Sequence, residues 1–157
     1  MSHIPDRILS LMAFDFGTKR IGVAVGQRIS GSSRELSPLK AKDGVPDWDV
    51  LDKLVAEWKP DAFVVGLPLN MDGTSSEMSL RAAKFARKLE GRLHKPSYTH
   101  DERLSSYEAK GIVMANSNER DFGRHSVDGL AARLILESWM EAHPRQTEAS
   151  GSAPQGE

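Results

Sequence analysis

Residues 9–25, LSLMAFDFGTKRIGVAV, form an apolar run broken once by an acid. Leu9, Leu11, Met12, Ala13 and Phe14 have the continuous apolar character of a buried strand. Residues 16–20, FGTKR, supply a turn, and residues 21–25 resume as a second apolar strand, so a β-hairpin is expected. Asp15 then stands where a central strand runs out. A carboxylate beside a core is costly unless it is hydrogen-bonded, paired or bound to a metal. Asp15 either caps the turn at Gly17 and Thr18, as aspartate often does, or belongs to a metal site. The rest of the chain supplies companions for the second role.

The 157 residues are 39% hydrophobic and 27% charged, which suits one globular domain with a well-buried core. There is no cysteine, so disulfides, thiolate zinc sites and cysteine nucleophiles are excluded. No apolar run approaches the roughly 20 residues that span a bilayer, and residues 1–10 lack a signal-peptide pattern, so no membrane partner and a cytoplasmic location are expected. With a net charge of -1, any binding of nucleic acid must use local patches. Residues 144–157, PRQTEASGSAPQGE, carry no large apolar side chain and are expected to be a disordered tail behind one domain spanning residues 1–143.

Between hairpin and tail the elements alternate. Residues 34–41 suit a third strand, with Pro38 pointing to an edge position. Residues 45–58 suit a helix with Val50, Leu51, Leu54, Val55 and Trp58 on one stripe. Residues 61–69, DAFVVGLPL, are an uninterrupted apolar strand of the kind a parallel sheet covers on both faces. Thr74 with Glu77 reads as a capping box for a helix to residue 93, and residues 96–101 as a short strand. Ser105 with Glu108 opens a further helix that fails near Ala115, residues 116–125 form a polar loop, and residues 126–143 form the last helix. Val127, Leu130, Ala131, Leu134 and Ile135 are its expected apolar face. The order β-β-β-α-β-α-β-α-α describes an α/β, ribonuclease-H-like mixed sheet: three antiparallel strands, then parallel βα units, flanked by helices.

Ligands of such sheets collect beyond the carboxyl ends of the strands, where Asp15 lies. Asp101 and Glu102 end the last strand, and alternation of side chains lets only one of them face the Asp15 corner. Asp128 falls in the first turn of the last helix, beside Gly129, Ala131 and Ala132, small residues that let a helix lie close to a sheet. The bland roles are a strand end, a solvated Glu102 and a helix dipole stabilised by Asp128. Taken together with Asp15, three converging carboxylates repel unless a cation neutralises them, and all-oxygen ligands favour Mg²⁺ or Mn²⁺. Two such ions, roughly 4 Å apart, are the usual apparatus for in-line hydrolysis of a phosphodiester. Asp15 is expected to bridge them, with Asp128 on one and Asp101 or Glu102 on the other; Glu102 is the favoured metal ligand.

The segments LMAFDFGTKRIGVAVGQ, VVGLPLNMDGT, HDERLSSYEA and HSVDGLAARLILE resemble, in this order and spacing, the YqgF/RuvX family of Holliday-junction-resolvase-like proteins. The resemblance covers about residues 9–139. It implies a ribonuclease-H-like nuclease, and in bacteria trimming of the 5′ end of precursor 16S ribosomal RNA. By motif position it makes Asp15, Asp101, Glu102 and Asp128 the catalytic acids. The segment Gly123-Arg124-His125 departs from relatives richer in Gly and Lys.

Lys19 and Arg20 beside Asp15, Arg103 after the acidic pair, and Arg120 and Arg124 on the loop are the expected phosphate contacts. Asn70, after the central strand, is a candidate to orient a phosphate or a water, and His100 or His125 to shuttle a proton. The row Arg81, Lys84, Lys88 and Arg92 reads as a solvated helix face or a second cationic surface. Three other functions compete with RNA processing: resolution of branched DNA, RNA binding without catalysis, and phosphate transfer by an actin- or sugar-kinase-like fold. The last needs two such domains around one nucleotide, and this chain has one. Monomer and dimer are both open.

Overall fold

Strand β1 (Ser10–Asp15) pairs antiparallel with β2 (Arg20–Gln27), from Ser10 opposite Gln27 to Asp15 opposite Gly22. The computed structural model describes residues 4–104 and 127–145. On one side, β2 pairs antiparallel with β3 (Ser32–Lys42), whose end meets the two-residue β4 (Val45–Pro46). On the other, β1 pairs parallel with β5 (Ala62–Leu67), and β5 with β6 (Ser97–Asp101). The sheet order β4-β3-β2-β1-β5-β6 puts β1 at the centre, as the apolar hairpin requires. Asp61 clamps the junction of β1 and β5 by accepting the backbone N–H groups of Leu9 and Ser10 at 2.9 and 3.0 Å.

Alternation along β1 and β5 sorts the core into two layers. Met12, Phe14, Phe63 and Val65 face helices α1 (Trp48–Trp58) and α2 (Glu77–Leu93). Leu11, Ala13, Ala62 and Val64 face helix α3 (Val127–Ala142) and the N-terminal Ile4 and Ile8. The first layer is aromatic: Phe85 of α2 meets Phe14 edge-on at 5.5 Å and lies 5.4 Å from Phe16.

Several boundaries differ from the sequence reading, each for a local reason. Helix α1 starts at Trp48, because Asp47 caps it by accepting the N–H groups of Asp49 and Val50, and the expected first residues 45 and 46 pair with β3 instead. Val50 then falls on the solvent side, 49% exposed. Helix α2 is capped by Ser76 with Ser79, each hydroxyl meeting the other's backbone N–H, rather than by Thr74 with Glu77. Thr74 is taken by Asp72, which accepts both its N–H and its hydroxyl. Pro38 lies where the β2–β3 register shifts, and β4 covers only the end of β3. The buried stripe of α3 is Gly129, Ala132, Ile135, Leu136, Trp139 and Met140, with Leu130, Ala131 and Leu134 only half-buried. That helix is apolar around most of its circumference, so composition gave its phase poorly. The expected helix opening at Ser105 and Glu108, the loop 116–125 and the tail from residue 146 lie outside the described residues.

Candidate functional site

The corner is built by strand register. Phe14 pairs with Val65 across β1 and β5, so the next residues, Asp15 and Gly66, are neighbours; Gly66 in turn pairs with His100 of β6. Asp15 shares the α3 side of the sheet with Leu11 and Ala13, two and four residues back along the strand. A strand end in solvent would leave Asp15 an ordinary turn residue. What changes its surroundings is the chain after β6.

Strand β6 stops at Asp101, and Glu102–Leu104 form a 3-10 turn. The turn separates the two adjacent acids. Asp101 accepts the backbone N–H of Arg103 at 2.9 Å and its guanidinium at 2.7 to 3.1 Å. Those bonds hold the Asp101 carboxyl below its ordinary range. Glu102 instead folds back over the α3 side of β5. A Cβ built on Gly66 would stand 2.7 Å from Glu102 Oε2, 2.9 Å from Glu102 Cγ and 2.6 Å from Ile135 Cδ1. Glu102 therefore lies over the strand neighbour of Asp15, and Asp101 points elsewhere. Gly66, absent from the site residues expected from sequence, is the position that admits Glu102. Its signal was a glycine inside an apolar strand, which marks close approach of another group.

Helix α3 crosses this side of the sheet with its first turn toward the corner. Leu136 and Met140 lie beside Gly26, opposite Leu11 at the start of β1, whereas Ile135 reaches Gly66 beside Asp15. Asp128 precedes buried Ala132 by one turn of that helix. Among the described residues no three acids or histidines form a metal-binding group; the side chain of Asp128 is not among them. The donor set suits a divalent cation in its chemistry: Asp15 and Glu102 offer hard carboxylate oxygens at one strand end, and no cysteine thiolate exists in the chain.

The expected phosphate contacts divide. Lys19 and Arg20 are exposed at the hairpin turn next to Asp15. The Lys19 carbonyl accepts the N–H of Ala41 at 2.9 Å, which seats the turn on β3. Arg103 is engaged within the protein: besides Asp101 it donates to the Met71 carbonyl at 3.0 Å and packs over Gly73, tying β6 to the loop after β5. Asn70 uses its amide nitrogen inside the same loop, on the Thr74 hydroxyl and the Ser75 carbonyl. Arg120 and Arg124 lie outside the described residues, as does His125. His100 is buried on the Ser138 hydroxyl at 2.9 Å, and burial lowers its pKa, so its built role is to dock α3 on β6.

The central β1 flanked by an antiparallel hairpin partner and by parallel strands, with acids at its carboxyl end, defines a ribonuclease-H-like fold. The RuvC protein of Thermus thermophilus bound to a Holliday junction superposes with a TM-score of 0.51 at 16% identity, over 85% of this chain and 94% of that one. The fowlpox virus Holliday junction resolvase does so with a TM-score of 0.54 at 16% identity, over 85% and 99%. The sequence pattern of the RuvX family, described as Holliday junction resolvase, matches residues 9–142. The chain belongs to the RuvX family. A relative from Pseudomonas putida, provisionally named a pre-16S rRNA nuclease, is 61% identical over 134 residues, 85% of this chain and 95% of its own. A relative of the same name from Azotobacter vinelandii is 58% identical, over 85% and 94%.

Proposed function

We propose that the chain is a metal-dependent nuclease that hydrolyses phosphodiester bonds at the 5′ end of precursor 16S ribosomal RNA in the cytoplasm. The observation that carries this reading is Glu102 folded over Gly66, the strand neighbour of Asp15, which brings two carboxylates to the carboxyl end of the central strand. The names of relatives sharing 58–61% of their residues over most of both chains supply the RNA. Asp15, Glu102 and Asp128 would hold Mg²⁺ or Mn²⁺. Such an ion, when bound, activates water and neutralises charge developing on phosphorus and the leaving oxygen. Asp101 is a positioning residue: it fixes Arg103, and through it the loop 70–74 at the rim of the corner. Lys19 and Arg20 are set to hold phosphates beside Asp15 without reading sequence.

Asp15→Asn tests the reading. It keeps the side chain's size and removes its charge, so cleavage of precursor 16S RNA with Mg²⁺ is expected to fall to background while the far-UV spectrum stays that of the parent. Full activity in the purified variant removes Asp15 from the reaction. A second reading, resolution of branched DNA, is favoured by the family's description and by the fold shared with two resolvases. Parallel assays on precursor RNA, single-stranded RNA and a four-way DNA junction separate the two by which substrate is cut.

A further inference from the structure

On the far side of the sheet from Glu102, a groove of about 190 Å³ runs between α2 and the turn joining β3 to β4. Phe16, Trp48 and Phe85 contribute apolar surface, and Arg81, Lys84 and Lys88 rim it. Phe16 directly follows Asp15, so the groove begins where the acidic corner ends.

The row Arg81, Lys84, Lys88 and Arg92 along α2 proves to be of two kinds. Arg81 is fixed, donating to the Asp43 carbonyl at 2.7 Å and lying 6.0 Å over the Phe16 ring. Arg92 is fixed as well, on the Asp52 carboxylate at 2.9 Å and 5.1 Å over Trp48. Lys84 and Lys88, one turn apart between them, are exposed and have no ion pair among the described residues. The turn carrying Lys19 is seated against the same rim, since the Thr18 carbonyl accepts the N–H of Gly44 at 2.8 Å. Gly44 has φ +83°, and a Cβ there would stand 2.8 Å from the Phe16 ring and 3.0 Å from Arg81, so only glycine lets turn and groove close together. The turn carrying Lys19 thus adjoins the groove that Lys84 and Lys88 rim.

We propose that this groove holds a single-stranded flank of the RNA substrate, with Lys84 and Lys88 on neighbouring phosphates. Two exposed lysines one turn apart, beside the turn that follows Asp15, match successive phosphates of a strand leaving the acidic corner. Phe16 and Phe85 are buried, and Arg81 and Arg92 lie over Phe16 and Trp48, so the strand is held through its backbone rather than by stacked bases. The inference rests on the nuclease reading for the identity of the strand, and its test reads binding without cleavage.

The full-length Asp15→Asn chain and its Lys84→Ala/Lys88→Ala derivative are titrated at several salt concentrations with single-stranded RNA of about sixteen and of about four nucleotides. Loss of two phosphate contacts is expected to weaken binding of the longer strand roughly tenfold and to flatten its log–log salt slope by about 1.4. The shorter strand, filled by the acidic corner, is expected to bind both chains alike, and Arg87→Ala, an exposed α2 cation away from the groove, to change neither. Unchanged affinity and slope for the longer strand overturn the proposal. Lysine-dependent binding of an acidic peptide tighter than that of the RNA overturns it too. A null result here leaves cleavage by the unsubstituted chain unaffected, whereas a chain that binds through these lysines but cuts nothing overturns the nuclease reading alone.

Discussion

At Gly66 a single missing methyl group decides where a carboxylate can go. A methyl carbon at that position would meet Glu102 Oε2 at 2.7 Å, well inside any real van der Waals separation, and Ile135 blocks retreat on the other side at 2.6 Å. Gly66→Ala is therefore expected to push Glu102 off the corner, with a stability cost of about 1–3 kcal/mol and an activity loss on the order of 10²-fold. Measured cleavage rates beside a urea melt would separate the two effects. Gly91→Ala is the matched comparison: nothing lies within 4 Å of a Cβ at that position near the end of α2, so it should stabilise by up to about 1 kcal/mol and leave cleavage alone. The acidic pair divides the same way. Glu102→Ala is expected to remove activity, and Asp101→Ala to lower it less, by releasing Arg103 and the loop 70–74. Equal losses from the two variants would contradict the separation of roles. Strand alternation does not govern this pair, because β6 ends at Asp101; the 3-10 turn puts Glu102 over Gly66 while Asp101 pairs with Arg103.

Helix α3 is held at its far end by a buried arginine. Arg28 is 6% exposed and donates to the carbonyls of Pro5, Ile8 and His143 at 2.9, 3.0 and 2.8 Å, with its guanidinium 5.9 Å from the Trp139 ring. It joins the N-terminal segment, β2 and the end of α3 in one contact. Arg28→Met keeps the stem but removes the donor to these carbonyls, of which only that of Pro5 keeps another partner among the described residues, the Ile8 N–H, and a loss on the order of 3 kcal/mol in urea unfolding is expected. His143 packs tilted at 4.7 Å from Trp139 at the same place, and burial, together with the Arg28 charge, lowers its pKa from the ordinary 6.5. His100 is lowered in the same direction, chiefly by burial. Between the folded values and 6.5 the unfolded chain binds more protons than the native one, so stability is complete above 6.5 and is lost as pH falls through that window. Melting temperature should thus drop from about pH 7.5 to about pH 5.5, and His143→Gln should shrink that drop; an undiminished drop would assign the effect elsewhere.

For the molecule as a whole, the carboxyl end of β1 carries Asp15, and Glu102 folds over its strand neighbour Gly66. A cation bound there would bind the native state alone. Mg²⁺ is expected to raise the melting temperature with concentration, equivalent to about 2.7 kcal/mol at a hundredfold excess over its dissociation constant, and Asp15→Asn to abolish the rise. A titration into the millimolar range that shifts neither protein would count against a metal at this corner. Local sequence determined a great deal: the run 9–25 dictated a central hairpin, the apolar segment 61–69 a parallel strand beside it, and Asp15 a position at their shared end, because burial on both faces leaves such segments few places in a sheet. The phase of α3 was not legible, since an apolar helix is turned by the surface it packs on rather than by its own pattern. The bond of Arg103 to Asp101 was local enough to expect, but its reach to Met71 and the commitment of Arg81 and Arg92 were not, for those partners lie 32 to 40 residues away in sequence. Which acids existed was written in the chain; which carboxylate came to lie over Gly66 beside Asp15, and which cations were taken up by partners within the fold, was decided by contacts that only chain folding brings within reach.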